Sequence, residues 1–161
     1  MYRSILLAQV MNPQDANPAG NVHGGVIMKL IDTAAGSAAM KHSRSNCVTA
    51  SIDRLDFHNP VFIGDLVTLR SGLNYTGKSS MEVGVRVESQ NLLTGEIRHT
   101  VSAYLTLVAL DKNGKPLAVP PLILETPEEQ RRNREALARR EARLREKTKE
   151  KACQLDAERC D

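Results

Sequence analysis

The pattern of hydrophobic and polar positions divides the chain into a short apolar opening, a turn-rich stretch, one apolar helix and a series of strands. Ile5 begins a short strand that ends near Val10. Asparagine, proline and glycine then crowd residues 12–25, which predicts an irregular loop. From Val26 to about Met40, apolar side chains occupy nearly every side of a helical wheel, and this pattern predicts a buried helix.

Four strand-like runs follow the helix, at about Cys47–Phe57, Leu66–Tyr75, Met81–Ser89 and His99–Leu110. Met81–Ser89 alternates apolar and polar residues cleanly, whereas His99–Leu110 is apolar on both sides and is expected to be central. Turn signals with glycine separate the runs. The short spacings predict an antiparallel meander rather than helical crossovers.

One hydrophobic helix wrapped by a curved antiparallel sheet is the α+β hotdog fold, which is the fold that the pattern predicts. The edge strand of such a sheet has unpaired backbone groups, and proteins cover these groups or pair them with another chain. We therefore expect a homodimer with a continuous sheet.

A charged segment follows this body. Several prolines mark a linker, and Thr126-Pro127-Glu128-Glu129 has the features of a helix start. The predicted organisation is one domain over residues 1–125 and a charged helix or tail over residues 126–161. The tail is either a solvated helix or one that packs on a neighbouring subunit.

Composition and charge exclude several classes of protein. Basic and acidic residues are mixed in both parts of the chain, 11 and 10 in residues 1–126 and 11 and 9 in residues 127–161, so no one-sign surface for nucleic acid is expected. No apolar run reaches the ~20 residues of a membrane span, and the N-terminus lacks signal-peptide features. Three scattered cysteines and four histidines without ligand spacing predict neither disulfides nor a metal site. A cytoplasmic protein is the expectation.

Two features of the Asp15–Asp32 segment point to chemistry. Gly24-Gly25 precedes the helix, and the free N–H groups at a helix start can stabilise negative charge that develops on a carbonyl oxygen. Asp32 is a carboxylate on an otherwise apolar helix, where it either pairs with Lys29, lies on a surface-facing turn, or acts as a general base or nucleophile. Gly25 is the predicted oxyanion donor.

Gly25 and Asp32 are too far apart to act on one carbonyl within one chain. Seven residues of helix separate them by roughly 10 Å. In a dimer with antiparallel helices, Asp32 of one chain could approach Gly25 of the other. Asn17, in the loop before the helix, would then offer its amide from the Gly25 side.

Three segments carry a resemblance to a known family: DANPAGNVHGGVIMKLID, VTASIDRLDFHNPVFIGDLV and GKSSMEVGVRVE. They resemble the hotdog-fold acyl-CoA thioesterases, in particular the cytosolic (brain-type) acyl-CoA hydrolases, over about residues 3–125. The resemblance implies hydrolysis of acyl-CoA to a free acid and CoA, with functional residues at Asn17 and Asp32 and no cofactor besides the substrate's own CoA. It also implies further assembly of dimers into a hexamer.

The resemblance also places a CoA site at the hairpin Gly77, Lys78, Ser79 and Ser80, whose backbone N–H groups, hydroxyls and ammonium could meet a pyrophosphate. Arg54, Arg98 and Lys112 are further phosphate candidates. His23 lies in the VHGG motif and is not assigned a catalytic role.

Two other functions stay open at this point. A hotdog enoyl-CoA hydratase would use a carboxylate with a nearby histidine, and Asp15 and His23 lie in one loop. A non-catalytic acyl-CoA sensor would bind the ligand without needing Asp32.

Overall fold

The computed structural model describes residues 4–53 and 55–155 of the chain, and all statements on the structure concern these residues. They form five strands and two α-helices, which confirms the α+β hotdog prediction. The elements are β1 (Ser4–Val10), α1 (Gly24–Ser43), β2 (Asn46–Ile52), β3 (Leu66–Thr76), β4 (Ser80–Gln90), β5 (Ile97–Leu110) and α2 (Pro127–Leu155).

The sheet is antiparallel throughout and has the strand order β1-β3-β4-β5-β2. Only β3, β4 and β5 form a meander, so the expected meander of four strands is wrong. The connection over residues 53–65 is too long for a hairpin, and β2 pairs with β5 rather than with β3. As expected, β5 is an interior strand, paired with β4 on one side and β2 on the other, and β4 lies in the middle of the sheet.

The edge strand β2 is shorter than the predicted run to Phe57. It ends at Ile52, and a bulge at Ala50 interrupts its register with β5. Such a bulge bends a strand and changes the direction of its side chains. Of the described residues that follow β2, Asp53 and His58 donate backbone hydrogen bonds to the Tyr104 and Thr100 carbonyl oxygens of β5.

Helix α1 packs on all five strands. Ser71 on β3 fixes the contact, because its buried hydroxyl donates to the carbonyl oxygen of Ala34 at 2.9 Å. The opposite side of the helix is open in this single chain, where Met28 and Met40 are each 42% exposed. Burial on all sides, as the helical wheel predicted, is therefore not found within one protomer. The buried side consists mainly of small residues: Ile27, Ile31, Ala34, Ala35, Ala38 and Ala39.

The chain divides into two compact units, one ending at Leu122 and one beginning at Ile123. In the second unit, α2 begins with a reciprocal cap. Thr126 Oγ1 accepts from the Glu129 N–H at 3.2 Å, and the Glu129 carboxylate accepts from the Glu125 and Thr126 N–H groups. The N–H groups of Glu125 and Thr126 lower the pKa of Glu129.

Neither helix of the described chain has the length and apolar run needed to cross a bilayer.

Candidate active site

The N-terminus of α1 presents one backbone N–H group without an acceptor. His23 caps the helix, since its Nδ1 accepts from the Gly25 N–H at 2.9 Å. The Val26 N–H donates to the His23 carbonyl oxygen. In the described part of the chain, the Gly24 N–H meets no acceptor. The helix dipole adds partial positive charge at this point.

Asn17 lies in the loop before this helix, with its side-chain amide held in one orientation. Its Oδ1 accepts from the Ala19 and Asn21 N–H groups at 2.9 and 3.2 Å. Gly20 closes the turn with a φ of 85°, a left-handed conformation that favours glycine. Because both bonds use the oxygen, the Asn17 Nδ2 group is left to donate, and no acceptor reaches it within residues 4–53 and 55–155.

A cleft of about 330 Å³ joins Asn17 to the start of α1. The irregular segment after β2 forms its far wall, and buried apolar side chains form its floor. Asn17 and Gly24 both line it, whereas Gly25 does not. The full lining is Asn17, Asn21, Val22, Gly24, Ile27, Phe57, His58, Asn59, Pro60 and Val61.

Asp32 lies in the middle of α1 with an exposed side chain. Its Oδ1 accepts a hydrogen bond of 2.5 Å from the hydroxyl of Thr49 on the edge strand β2. Among the described residues no ion pair with Lys29 forms, and no donor reaches Asp32 Oδ2. The carboxylate therefore has one oxygen held by the sheet and one open to solvent.

Asp32 does not reach the cleft of its own chain. Eight residues of helix separate it from Gly24, about 12 Å along the axis. Asp32 is not among the described residues that line the cleft. The structure thus brings Asn17 and the helix start together and leaves Asp32 apart from them.

The candidate CoA hairpin lies at the other end of α1. The Lys78 carbonyl oxygen accepts from the Val119 N–H, and the neighbouring Pro120 carbonyl contacts His42 Nε2 near the helix C-terminus. The Gly77 N–H donates to the Ser80 carbonyl oxygen at 2.7 Å, which closes the turn. The Lys78 side chain is exposed, and it makes no ion pair within the described residues.

The other predicted phosphate contacts have different environments. Arg98 forms an ion pair with the buried Asp65 at 2.9 Å and lies over the Phe62 ring, so its guanidinium already has a structural role. Lys112 is exposed in the turn after β5. Arg54 lies outside the described residues.

The structure does not assemble the side-chain pair that a hydratase would need. The Asp15 carboxylate accepts from the Asn12 N–H at 2.8 Å, and His23 Nδ1 is occupied by the Gly25 N–H. Asp15 and His23 are joined only through the backbone. In the described part of the chain, no group of three His, Cys, Asp or Glu side chains is placed to hold a metal ion.

A pair of stacked histidines supports the far wall of the cleft. The rings of His58 and His99 lie 5.8 Å apart, centroid to centroid, and His58 lines the cleft. Burial lowers the pKa of His99, and the charges of Arg86 and His58 act in the same direction. These neighbours favour the neutral imidazole.

Sequence reasoning missed Thr49 and the cleft wall around Phe57. Thr49 is one of two hydroxyl residues in β2, and nothing in its pattern marks it as the partner of Asp32. Phe57 was placed at the end of a strand that stops at Ile52. No proline or glycine lies between Ile52 and Phe57, so the sequence carries no such signal that the strand ends early.

Comparison with known proteins identifies the family. The model of the thioesterase superfamily matches residues 19–96. The uncharacterized acyl-CoA thioester hydrolase YkhA of Bacillus subtilis is 44% identical over 117 residues, which cover 73% of this chain and 68% of YkhA. The cytosolic acyl coenzyme A thioester hydrolase of Rattus norvegicus is 37% identical over 140 residues, 86% of this chain. The match spans only 37% of the rat protein's length.

Solved structures agree with this likeness. An apo-hexameric acyl-CoA thioesterase superposes with a TM-score of 0.86 at 42% identity, covering 89% of this chain and 92% of that one. An acyl-CoA hydrolase of Staphylococcus aureus, in complex with butyryl coenzyme A, coenzyme A and coenzyme A disulfide, superposes with 0.85 at 34% identity, covering 93% and 92%. Three further structures of the same hydrolase each carry one substitution by alanine, of an aspartate, a threonine or an asparagine. The chain therefore belongs to the acyl-CoA thioester hydrolases of the thioesterase superfamily, as its sequence indicated.

Proposed function

We propose that this protein hydrolyses acyl-CoA thioesters to a free carboxylic acid and CoA, with Asp32 as the activating carboxylate. The observation that carries the proposal is the state of Asp32, which is held through Oδ1 by Thr49 and has Oδ2 open to solvent. A carboxylate with one oxygen fixed and one exposed can take a proton from water or attack a carbonyl itself.

In this mechanism Asp32 takes a proton from a water molecule, whose oxygen forms a bond to the thioester carbon. Alternatively, Asp32 itself forms that bond and gives a mixed anhydride, which a water molecule then hydrolyses to the free acid and the restored carboxylate. Negative charge develops on the carbonyl oxygen, and a helix-start N–H stabilises it. When the carbon–sulfur bond breaks, the thiolate of CoA leaves with the bonding electrons and is then protonated. The Asn17 Nδ2 group donates a hydrogen bond that orients the water or the carbonyl.

The donor at the helix start is one of two neighbouring N–H groups. Gly25 is the donor expected from the sequence, but its N–H must first leave His23 Nδ1. Gly24 lines the cleft, and its N–H needs no such displacement. We retain Gly25 as a candidate and add Gly24 as the donor that the geometry favours.

We further propose that each site is shared by two chains of a homodimer. About 12 Å of helix axis separates Asp32 from Gly24, which prevents both from acting on one carbonyl within a protomer. The neighbouring edge strand β2 presents an open apolar surface, with Val48 44% and Ile52 38% exposed. Pairing of β2 with its copy would bring Asp32 of one chain to the cleft of the other. Assembly into a hexamer follows by likeness to the apo-hexameric thioesterase.

The spacing of three residues supports these roles. Along the S. aureus chain, the substituted asparagine, aspartate and threonine follow at intervals of 15 and 17 residues. The same intervals separate Asn17, Asp32 and Thr49. Thr49 thereby joins the proposed site as the residue that positions Asp32.

We assign the hairpin Gly77, Lys78, Ser79 and Ser80 to the phosphates of CoA, because Lys78 is an exposed cation beside two hydroxyls. The reaction needs no cofactor, since CoA is part of the substrate. We place the enzyme in the cytoplasm, as the name of the rat relative states for that protein.

A thiol-release assay on purified protein with a panel of acyl-CoAs, together with detection of the free acid, tests this function. Hydrolysis releases CoA, whereas a hydratase acting on enoyl-CoA releases no thiol. A sensor binds acyl-CoA without forming product. Absence of thiol release across the panel would overturn the proposal.

A further inference from the structure

We propose that Phe57 is the residue that sets the acyl chain length accepted by the cleft at the start of α1, an inference that rests on the function proposed above. The Phe57 ring faces Gly24 closely, because a Cβ atom built on Gly24 would lie 3.6 Å from Phe57 Cζ. The side chain is 46% exposed, so its ring forms a wall of the cleft rather than part of the core.

The cleft floor suits an apolar chain. Val22, Ile27 and Val61 are 7%, 1% and 3% exposed and form a continuous hydrophobic surface. Two of the polar side chains that line the cleft have bonds elsewhere: Asn17 Oδ1 accepts from backbone N–H groups, and Asn59 Nδ2 donates to the His99 carbonyl oxygen at 2.8 Å. A hydrocarbon chain needs no hydrogen-bond partners, so the acyl group is the part of the substrate that this floor fits.

The wall holds its position independently of the Phe57 ring. The His58 N–H donates to the Thr100 carbonyl oxygen at 3.0 Å, and Asn59 is bonded to His99. The stacked ring of His99 supports His58 from behind. Removing the Phe57 ring should therefore lengthen the cleft rather than let the wall collapse into it.

Two substitutions at this position test the inference in opposite directions. Phe57→Ala should move the chain-length profile of kcat/KM toward longer saturated acyl-CoAs by at least two carbons. Phe57→Trp should move it toward shorter ones. One methylene in an apolar pocket changes kcat/KM by about 10-fold or more, so the ratio for substrates two carbons apart should change by at least that factor.

Phe62→Ala is the matched control, because Phe62 is the only other phenylalanine of the chain and does not line the cleft. It should leave the profile unchanged. Thermal unfolding of each variant checks the fold, and if Phe57→Ala does not fold, Phe57→Trp decides alone.

An unshifted profile in folded Phe57 variants would overturn the inference, as would an equal shift in Phe62→Ala. Both results presuppose that the wild-type protein releases thiol from at least one acyl-CoA. If the wild-type protein releases none, it is the proposed hydrolase function that fails.

Discussion

Thr49 and Asp32 are 17 positions apart in sequence, and the hydrogen bond between their side chains joins the edge strand β2 to the middle of α1. The bond holds one carboxylate oxygen at a fixed place relative to the sheet. The Thr49 hydroxyl donates to one oxygen of the ionised carboxylate. This bond keeps the Asp32 side chain from rotating away from the substrate. Thr49 is thus a positioning residue for Asp32 in the proposed reaction.

Replacing Thr49 by valine should lower kcat by about 10- to 100-fold with little change in KM, because misplacing a catalytic group by even ~1 Å costs a similar factor. Valine keeps the branched shape that suits a strand and removes only the hydroxyl. Steady-state kinetics with one good acyl-CoA substrate measures the effect.

Thr49→Ser is the matched control, since serine restores the hydroxyl without the methyl group. It should recover most of the lost turnover. If the valine and serine variants behave alike, Thr49 serves only the structure of β2.

Asp32→Asn should lower hydrolysis by at least about 100-fold, because the amide keeps the shape but cannot accept a proton as a carboxylate does. Asp15→Asn is the control, as Asp15 would be the base of a hydratase. Its activity should stay near wild type. Near-normal turnover by Asp32→Asn would remove Asp32 from the mechanism, and thermal unfolding shows whether the variant is folded.

Local pattern allowed most of the fold to be predicted, but not the pairing of its strands. The alternation of Met81 and its neighbours placed β4, and the apolar run from Val26 to about Met40 placed α1. Periodicity does not say which strand lies beside which, so the position of β2 next to β5 was missed. The bulge at Ala50 leaves no signature in the alternation of this short strand.

Sequence reasoning proposes site residues where residue type restricts the chemistry. Asp32 stands out because a carboxylate on an apolar helix needs a reason, and Asn17 is proposed from its place in the loop before α1 and from the resemblance. Thr49 could not be proposed from sequence, because its proposed role depends on a tertiary contact. The bond from the Gly25 N–H to His23 was also hidden, since side-chain capping by histidine is not among the common cap signals.

Single proline substitutions identify the oxyanion donor, because proline removes one N–H and is tolerated in the first helical turn. His23 has φ −64° and ψ 129°, an extended conformation that is compatible with a following proline. Gly24→Pro should lower kcat by about 100-fold if the Gly24 N–H stabilises the transition state. Kinetics and thermal unfolding are measured together.

Gly24→Ala retains the N–H, and its Cβ would meet Phe57 at an ordinary contact distance of 3.6 Å. We expect it to stay active. A folded Gly24→Pro variant that keeps its turnover would return the role to Gly25.

Protonation of His99 should destabilise the protein in mild acid. Burial lowers the pKa of His99 in the folded protein below its ordinary value of 6.5, so the unfolded chain binds the proton more readily. The free energy of unfolding should therefore fall as pH decreases through 6.5, and this contribution is absent well above that pH. Glu88, whose pKa is lowered mainly by its hydrogen bond from Arg86, affects stability only near and below its ordinary value of 4.5.

Denaturant unfolding of the wild type and of His99→Asn between pH 5 and 8 tests this linkage. The variant should lose less stability than the wild type between pH 7 and 5. Equal slopes in the two proteins would show that His99 does not contribute.

A mixture of two inactive variants tests whether the site is shared between chains. Asp32→Asn lacks the carboxylate, and Asn17→Ala lacks the amide at the cleft. If each site takes Asn17 from one chain and Asp32 from the other, a mixed dimer has one site with both residues and one with neither. Random exchange makes half the dimers mixed, so activity should recover to about a quarter of wild type, assuming independent sites.

Native mass spectrometry must first show that the chains have exchanged, because slow exchange would leave two inactive homodimers. Once mixed dimers are present, the two geometries give opposite results. A site within one chain leaves every site of a mixed dimer with one missing residue, so the mixture would stay as inactive as its parents. The roughly 12 Å of helix between Gly24 and Asp32 favours recovery, because a single protomer cannot bring both groups to one thioester carbonyl.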